Sequence, residues 1–238
     1  MIERDPEVVV GDDAVLRARL RTLLAEGGRQ AVAEGRRWSM AIPGGSVVTR
    51  LLTALGPADA PWDSGDLFWV DERVVPHTDP ESNFGASRRG WLHGVEGTGL
   101  RVHPVPVALG TLDACASAYE ATLRGVLPPS LCLDLVVLGV GEDGHVASLF
   151  PGDREALASP GLVIAVERAP KFPPRRISLT LPLLARARRV VVAAFGAAKR
   201  PVMHAALHDR HSDLPIIRLL QSAAAPVLLM DVAAAGGR

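Results

Sequence analysis

Short runs of apolar and β-branched residues recur along the chain, and helical stretches separate most of them. This alternation is typical of an open sheet of mainly parallel strands with helices on both faces. The run at residues 133–140 is the most continuously apolar, as expected for a strand in the middle of such a sheet. The sequence therefore predicts a doubly wound, Rossmann-like α/β fold, with further strands at residues 8–10, 39–43, 66–70, 162–166, 177–181, 189–193 and 227–230.

The helices are predicted from their caps and from the spacing of apolar residues. Asp12 is a suitable N-cap, and the four leucines that follow share one face of a helix: Leu16, Leu20, Leu23 and Leu24. Further helices are expected at residues 112–124 and 197–208. Because no repeat, low-complexity tract or linker divides the sequence, we expect residues 1–238 to form a single domain.

Composition argues against several classes of function. Lys and Arg number 26, as do Asp and Glu, so no net charge draws the protein to nucleic acid or to an anionic membrane. The first residues lack the apolar segment of a signal peptide, and Cys115 and Cys132 have no metal-ligand spacing. We find no G-x-S-x-G, P-loop, H-E-x-x-H or C-x-x-C motif. We therefore expect a cytoplasmic monomer or homodimer that acts on a small molecule, with neither nucleic acid nor membrane as partner.

Three predicted strands end in polar or glycine-rich segments. These segments are Gly44-Gly45-Ser46, Asp71-Glu72-Arg73 and residues 139–145. In open α/β sheets, ligands bind beyond the carboxyl ends of the strands, where loops lead into helices. We therefore expect all three segments to open on the same edge of the sheet.

The segment Gly44-Gly45-Ser46 lies between a predicted strand and a predicted helix. Glycines allow backbone N–H groups to turn toward an anion, and the start of a helix adds partial positive charge. The segment therefore suits a phosphate group, although an ordinary tight turn has the same composition.

Residues 139–144 match G-x-G-x-x-G after a predicted strand, which is also the pattern of dinucleotide-binding loops. Two features argue against a dinucleotide site. The long helix that should follow is interrupted at Phe150-Pro151-Gly152, and His145 occupies the helix entrance where close packing is required. The pattern alone is weak evidence for a nucleotide.

His145 is the best candidate for a general base among the seven histidines, because it follows Asp143 at the exit of a central strand. The alternative is that His145 has only a structural role.

Arg73 is a candidate for binding a phosphate, or a carbonyl oxygen that gains charge, through two hydrogen bonds. The alternative is that residues 71–73 form an ordinary turn exposed to solvent. Arg176 and Lys199 are further candidates for anion binding, although such charges are usually only solvated.

Four segments carry a specific combination of motifs. Residues 68–85 contain D-E-R and S-N, residues 138–152 read L-G-V-G-E-D-G-H-V-A-S-L-F-P-G, residues 170–182 contain P-x-x-R, and residues 196–199 read G-A-A-K. In this order they resemble the 6-phosphogluconolactonase family along nearly the whole chain. One difference is in the first loop, where Pro43 and Val47 replace the serine and threonine that are usual in the family.

The resemblance implies hydrolysis of 6-phospho-D-glucono-1,5-lactone to 6-phospho-D-gluconate in the oxidative pentose phosphate pathway, without a metal or a redox cofactor. It implies that His145 is the base that activates water and that Asp143 orients His145 or its loop. It also implies that Arg73 and backbone N–H groups of residues 139–144 stabilise the carbonyl oxygen. It implies a set of substrate- and phosphate-binding residues: Gly44, Gly45, Ser46, Asp71, Arg176 and Lys199. The sequence leaves the roles of Arg73 and Arg176 interchangeable.

Two other functions are compatible with the same fold. A sugar-phosphate isomerase or deaminase of the related family carries an acid in an N-E-P-G segment, where this chain has Leu149-Phe150-Pro151-Gly152. The missing acid favours the lactonase. A non-catalytic sugar-phosphate sensor would need a DNA-binding helix-turn-helix and a basic face, for which this chain has neither spare length nor excess charge.

Overall fold

A computed structural model describes residues 5–237 and contains a parallel sheet of seven strands. The strands of the molecule are β1 (Glu7–Val10), β2 (Trp38–Ile42), β3 (Gly65–Trp69), β4 (Asp71–Arg73), β5 (Arg101–Val102), β6 (Leu135–Gly139), β7 (Val163–Val166), β8 (Arg176–Leu179), β9 (Arg189–Ala194) and β10 (Pro226–Met230). The order in the large sheet is β1-β10-β9-β6-β2-β3-β5, and all neighbouring pairs are parallel. The predicted open, mainly parallel α/β sheet is confirmed.

Helices flank the sheet, and the first of them begins at its predicted cap. They are α1 (Asp13–Ala33), α2 (Ser46–Arg50), α3 (Asn83–Gly90), α4 (Leu112–Val126), α5 (Arg154–Ala158), α6 (Leu181–Ala185), α7 (Arg200–His208), α8 (Pro215–Ser222) and α9 (Val232–Ala235). The Asp12 carboxylate accepts the N–H of Val15, and the four leucines of the predicted face are buried. Among residues 5–237, no helix has both the length and the apolar character to cross a membrane.

A second, smaller sheet has the order β4-β8-β7 and is antiparallel. The sequence predicts that residues 162–166 and 177–181 are strands of the same mainly parallel sheet as the others. This prediction is wrong, because β7 and β8 belong to the second sheet. Only residues 167–175 connect the two strands, and they contain no helix. Two parallel strands must be joined by a crossover of about a dozen residues or more. Because the connection here is shorter, β7 and β8 pair in the antiparallel direction.

The direction in which successive strands are added reverses between β2 and β6. From β2 the chain continues outward to β3 and β5, whereas from β6 it continues outward on the other side to β9 and β10. The carboxyl ends of β2 and β6 are therefore adjacent, and they lead into the two glycine-rich segments at residues 43–46 and 139–145. Such a switch point is the usual ligand site of an open α/β sheet.

Candidate active site

The three strand exits meet in one cleft of about 200 Å³. The cleft is lined by all of the predicted site residues except Asp143 and Lys199: Gly44, Gly45, Ser46, Asp71, Arg73, His145 and Arg176. The expectation that the three segments open on the same edge of the sheet is confirmed. Asp143 contacts His145, which lines the cleft, and Lys199 contacts Glu142.

His145 is bound to Asp143 through one ring nitrogen. Nδ1 of His145 lies 2.5 Å from Oδ1 of Asp143. An ionised carboxylate only accepts hydrogen bonds, so Nδ1 carries the proton and Nε2 keeps the lone pair. The imidazole also packs against the ring of Phe150, with 4.7 Å between centroids. Asp143 therefore fixes both the tautomer and the orientation of the imidazole.

The electrostatic surroundings keep the imidazole neutral. Burial is the largest influence and lowers the pKa of His145 below its ordinary value; Lys171 adds to this, while the hydrogen bond and charge of Asp143 oppose it. Burial alone would raise the pKa of Asp143, but the hydrogen bond from His145, the charge that His145 carries at acidic pH and the charge of Lys171 lower it overall. The result at neutral pH is a neutral base beside an ionised carboxylate.

Gly141 makes room for this pair. A Cβ atom at position 141 would overlap Nδ1 and Cε1 of His145 and Oδ1 of Asp143. The loop also closes on itself, because the N–H of Gly141 donates to the carbonyl of His145 at 2.9 Å and the N–H of Gly144 donates to the carbonyl of Gly141 at 3.1 Å. The glycines of this loop therefore serve to place the histidine rather than to approach a dinucleotide. No long helix follows Gly144, as the sequence predicts, and the next helix along the chain is α5.

The second sheet brings two arginines into the cleft. Arg73 on β4 and Arg176 on β8 are directly opposite each other in the antiparallel pair. Like charges in such positions repel each other unless an anion lies between or beside them. The cleft therefore contains two guanidinium groups, each with a carboxylate nearby: Asp71 is 3.8 Å from Arg176, and Glu81 is 3.5 Å from Arg73.

The two guanidinium groups differ in how firmly they are held. Arg176 is 5% exposed, and it donates through Nε to the carbonyl of Pro173 at 2.9 Å and through NH2 to that of Lys171 at 3.1 Å. Burial lowers the pKa of Arg176, and the charge of Arg73 acts in the same direction. Arg73 is more exposed and donates through NH1 to the carbonyl of Glu81 at 2.6 Å, whereas its buried Nε has no partner within residues 5–237.

Asp71 is held in place by two residues to which the sequence analysis assigned no role. Its Oδ2 accepts the hydroxyl of Ser148 at 2.6 Å, and the amide of Asn83 donates to its backbone carbonyl at 2.9 Å. Gly44 allows Asn83 to come this close, since a Cβ atom at position 44 would overlap the Asn83 amide. Asn83 and Ser148 both lie inside segments that carry the family motifs. Their place in these motifs is the feature of the sequence that could have indicated a role for them.

Glu72, the middle residue of the charged triplet, has a structural role. It is fully buried, and its carboxylate accepts the backbone N–H groups of Arg73, Asn83 and Phe84 and the hydroxyl of Ser82. Burial raises the pKa of Glu72, and the four donors oppose that effect. The carboxylate thus anchors the start of α3 beneath the cleft and keeps Asp71 and Arg73 on the opposite face of β4.

Lys199 lies beside the glycine-rich segment at residues 139–145. Its Nζ is 3.8 Å from Oε1 of Glu142, the residue between Gly141 and Asp143. The sequence places Lys199 inside a helix at residues 197–208, but residues 197–199 form a 3-10 turn and Lys199 immediately precedes α7. Lys199 does not line the cleft. It would have to leave Glu142 to reach a ligand there.

Comparison with protein families supports the resemblance seen in the sequence. A family model described as glucosamine-6-phosphate isomerases/6-phosphogluconolactonase matches residues 11–228. The chain belongs to this family. The match includes every residue of the cleft and all strands except β1 and the end of β10, so the resemblance predicted from four short segments is confirmed.

Members of the isomerase/lactonase family match the chain over most of its length. A 6-phosphogluconolactonase of Mycobacterium tuberculosis is 35% identical over 84% of this chain and 85% of its own. One from Nostoc is 33% identical over 95% of both chains. The crystal structure of a 6-phosphogluconolactonase from Leishmania guyanensis superposes with a TM-score of 0.84 and 26% identity, covering 98% of this chain and 99% of that one.

Proposed function

We propose that this protein hydrolyses 6-phospho-D-glucono-1,5-lactone to 6-phospho-D-gluconate. The observation that carries the proposal is the Asp143–His145 pair at one cleft with two arginines and the Gly44-Gly45-Ser46 loop. Lactone hydrolysis needs a base for water, positive charge for the oxyanion, and an anchor for the phosphate. This cleft offers groups for all three, and the curated relatives named above are 6-phosphogluconolactonases.

The reaction begins with a water molecule between Nε2 of His145 and C1 of the lactone. The water oxygen forms a bond to C1 while one of its protons passes to Nε2, and the carbonyl oxygen becomes an oxyanion. When the bond between C1 and the ring oxygen breaks, the imidazolium returns the proton to that oxygen. Asp143 stabilises the imidazolium between the two steps, and the carboxylic acid product then releases a proton to solvent.

We assign Arg176 to the carbonyl oxygen and Arg73 to the phosphate, which reverses the roles implied by the resemblance. Cζ of Arg176 is 5.8 Å from the centroid of Phe150, whose ring also packs against His145. A rigid, buried donor near the base suits a charge that develops only in the transition state. Arg73 is more exposed than Arg176 and lines the cleft with Gly44, Gly45 and Ser46, so its guanidinium can take up a phosphate together with that loop.

We assign the remaining predicted residues by their contacts. Asp71 is positioned by Ser148 and can accept a substrate hydroxyl next to Arg176. Lys199 joins the phosphate only by exchanging Glu142 for the ligand, so we expect its contribution to be smaller than that of Arg73. Both cysteines are free thiols, which supports our proposal of a cytoplasmic enzyme.

The proposal is tested by proton release from freshly generated 6-phosphogluconolactone, corrected for spontaneous opening. We expect rapid turnover of this substrate and much slower turnover of unphosphorylated gluconolactone. A parallel assay for ammonia release from glucosamine 6-phosphate tests the deaminase alternative. Ammonia release without lactone hydrolysis would overturn the proposal.

Steady-state kinetics should distinguish the roles of Arg73 and Arg176. Arg73→Ala should raise KM for the phosphorylated lactone by roughly 10- to 150-fold, the equivalent of about 1.5–3 kcal/mol for one charge-assisted contact. Arg176→Lys, which keeps the charge but not the planar fork, should lower kcat for both lactones. Arg88→Ala is the matched control, because Arg88 is exposed on α3 and does not line the cleft. The opposite pattern in the two variants would restore the roles implied by the resemblance.

The pH dependence of kcat/KM should reflect the pKa of His145 and the groups that shift it. Neutral imidazole is the active form, so kcat/KM should fall as the pH drops through a pKa that lies below the ordinary value of about 6.5. Asp143→Asn removes a group that raises this pKa, so the acidic limb should move to lower pH. Lys171→Met removes a positive charge that lowers it, so the limb should move to higher pH. Shifts in the same direction for both variants would contradict the assignment of His145 as the titrating base.

A further inference from the structure

Two exposed histidines form a pair on α7, outside the cleft. His204 and His208 are one helical turn apart, and their rings lie with 4.4 Å between centroids and 27° between planes. Neither residue lines the cleft, and both are exposed to solvent. Residues at positions i and i+4 share one face of a helix, so their side chains can act on the same ligand.

The tautomer of His208 is fixed by the helix itself. Its Nδ1 lies 2.9 Å from the carbonyl oxygen of His204. A carbonyl can only accept a hydrogen bond, so Nδ1 carries the proton and Nε2 keeps its lone pair. Metal-binding histidines commonly donate the other ring N–H to a backbone carbonyl, which orients the ring and raises its basicity as a ligand.

We propose that His204 and His208 bind a divalent transition-metal ion of the class that prefers imidazole, with Cu²⁺ bound more tightly than Ni²⁺ or Zn²⁺. The order follows from the intrinsic preference of nitrogen ligands for these ions. Within residues 5–237, no group of three or more His, Cys, Asp or Glu side chains is arranged to hold a metal ion. The histidine pair therefore provides two ligands, and water completes the coordination.

The site is independent of the lactonase proposal, because neither histidine lines the cleft or has a role in the proposed reaction. His211, the next histidine along the chain, follows the end of α7 and does not extend the pair to a third ligand. The two ligands belong to one folded helix, so binding should favour the folded state and raise its thermal stability.

Titration of the whole protein with Cu²⁺ tests the proposal, with calorimetry for affinity and electron paramagnetic resonance for the ligands. We expect one site whose spectrum shows two nitrogen ligands from imidazole. His204→Gln and His208→Gln should each weaken this site by at least about tenfold, because the second imidazole acts at high effective concentration. The increase in Tm on adding Cu²⁺ should disappear in both variants.

His93→Gln is the matched control, since His93 is also exposed but lies far along the chain from α7. It should leave the affinity, the spectrum and the Tm shift as in the unmodified protein. The proposal is wrong if either pair variant binds Cu²⁺ as tightly as the unmodified protein, or if His93→Gln weakens binding to the same extent. Lactone hydrolysis without added metal should be unchanged in His204→Gln, so failure of this site leaves the proposed function untouched.

Discussion

Replacing His145 by Asn should lower kcat for the phosphorylated lactone by about 10²- to 10⁴-fold and leave KM nearly unchanged. This is the usual contribution of a general base, and it is made in the transition state rather than in substrate binding. Asn preserves polarity and approximate size, so the packing against Phe150 and the contact with Asp143 should be largely kept. Steady-state proton release from freshly generated lactone measures both constants, and the acidic limb of the profile should disappear with the imidazole.

His77→Asn is the control for His145→Asn. His77 lies beside the charged triplet in the sequence, but its Nε2 is 3.1 Å from the carbonyl of Val105 and its ring packs on Phe84. It does not line the cleft, so its replacement should leave kcat near normal. If His145→Asn instead kept a near-normal kcat and an unchanged pH profile, the general base would be another residue.

Replacing Gly141 by Ala should lower kcat by about 10²-fold while the protein stays folded. The new methyl group would occupy the space of the His145 ring and the Asp143 carboxylate, so the pair must move or separate. A displacement of about 1 Å at a catalytic group can cost about this factor. The atoms that must move belong to the side chains of the half-buried His145 and the exposed Asp143 and not to the backbone, so Tm should change little. Because Asp143 would no longer fix the ring, the acidic limb should also shift.

Gly27→Ala is the matched control for Gly141→Ala. Gly27 lies inside α1, and a Cβ atom there would meet no other atom within 4 Å. Alanine at this position should leave kcat unchanged and stabilise the helix by up to about 1 kcal/mol. A Gly141→Ala enzyme with normal kcat would show that the loop can adjust without disturbing the base, and the tight placement of the pair would then not matter for catalysis.

The sequence determined the features that depend on neighbouring residues. The apolar strands, the Asp12 cap and the leucine face of α1 follow from local spacing, and they led to the correct α/β class. The pairing of Asp143 with His145 is also local, because two residues on a tight glycine loop have few other arrangements. The rule that ligands bind at the carboxyl ends of parallel strands then placed three distant segments at one cleft.

The tertiary structure decided what depends on contacts between distant segments. Arg73 and Arg176 are about a hundred positions apart in the sequence, and only the antiparallel pairing of β4 and β8 sets them opposite each other. Glu72 looks like another site residue in the charged triplet, but strand alternation turns it inward to the start of α3. Local patterns cannot show which face of a strand meets a helix, or which strand becomes its partner, because those choices are made by the packing of the whole chain.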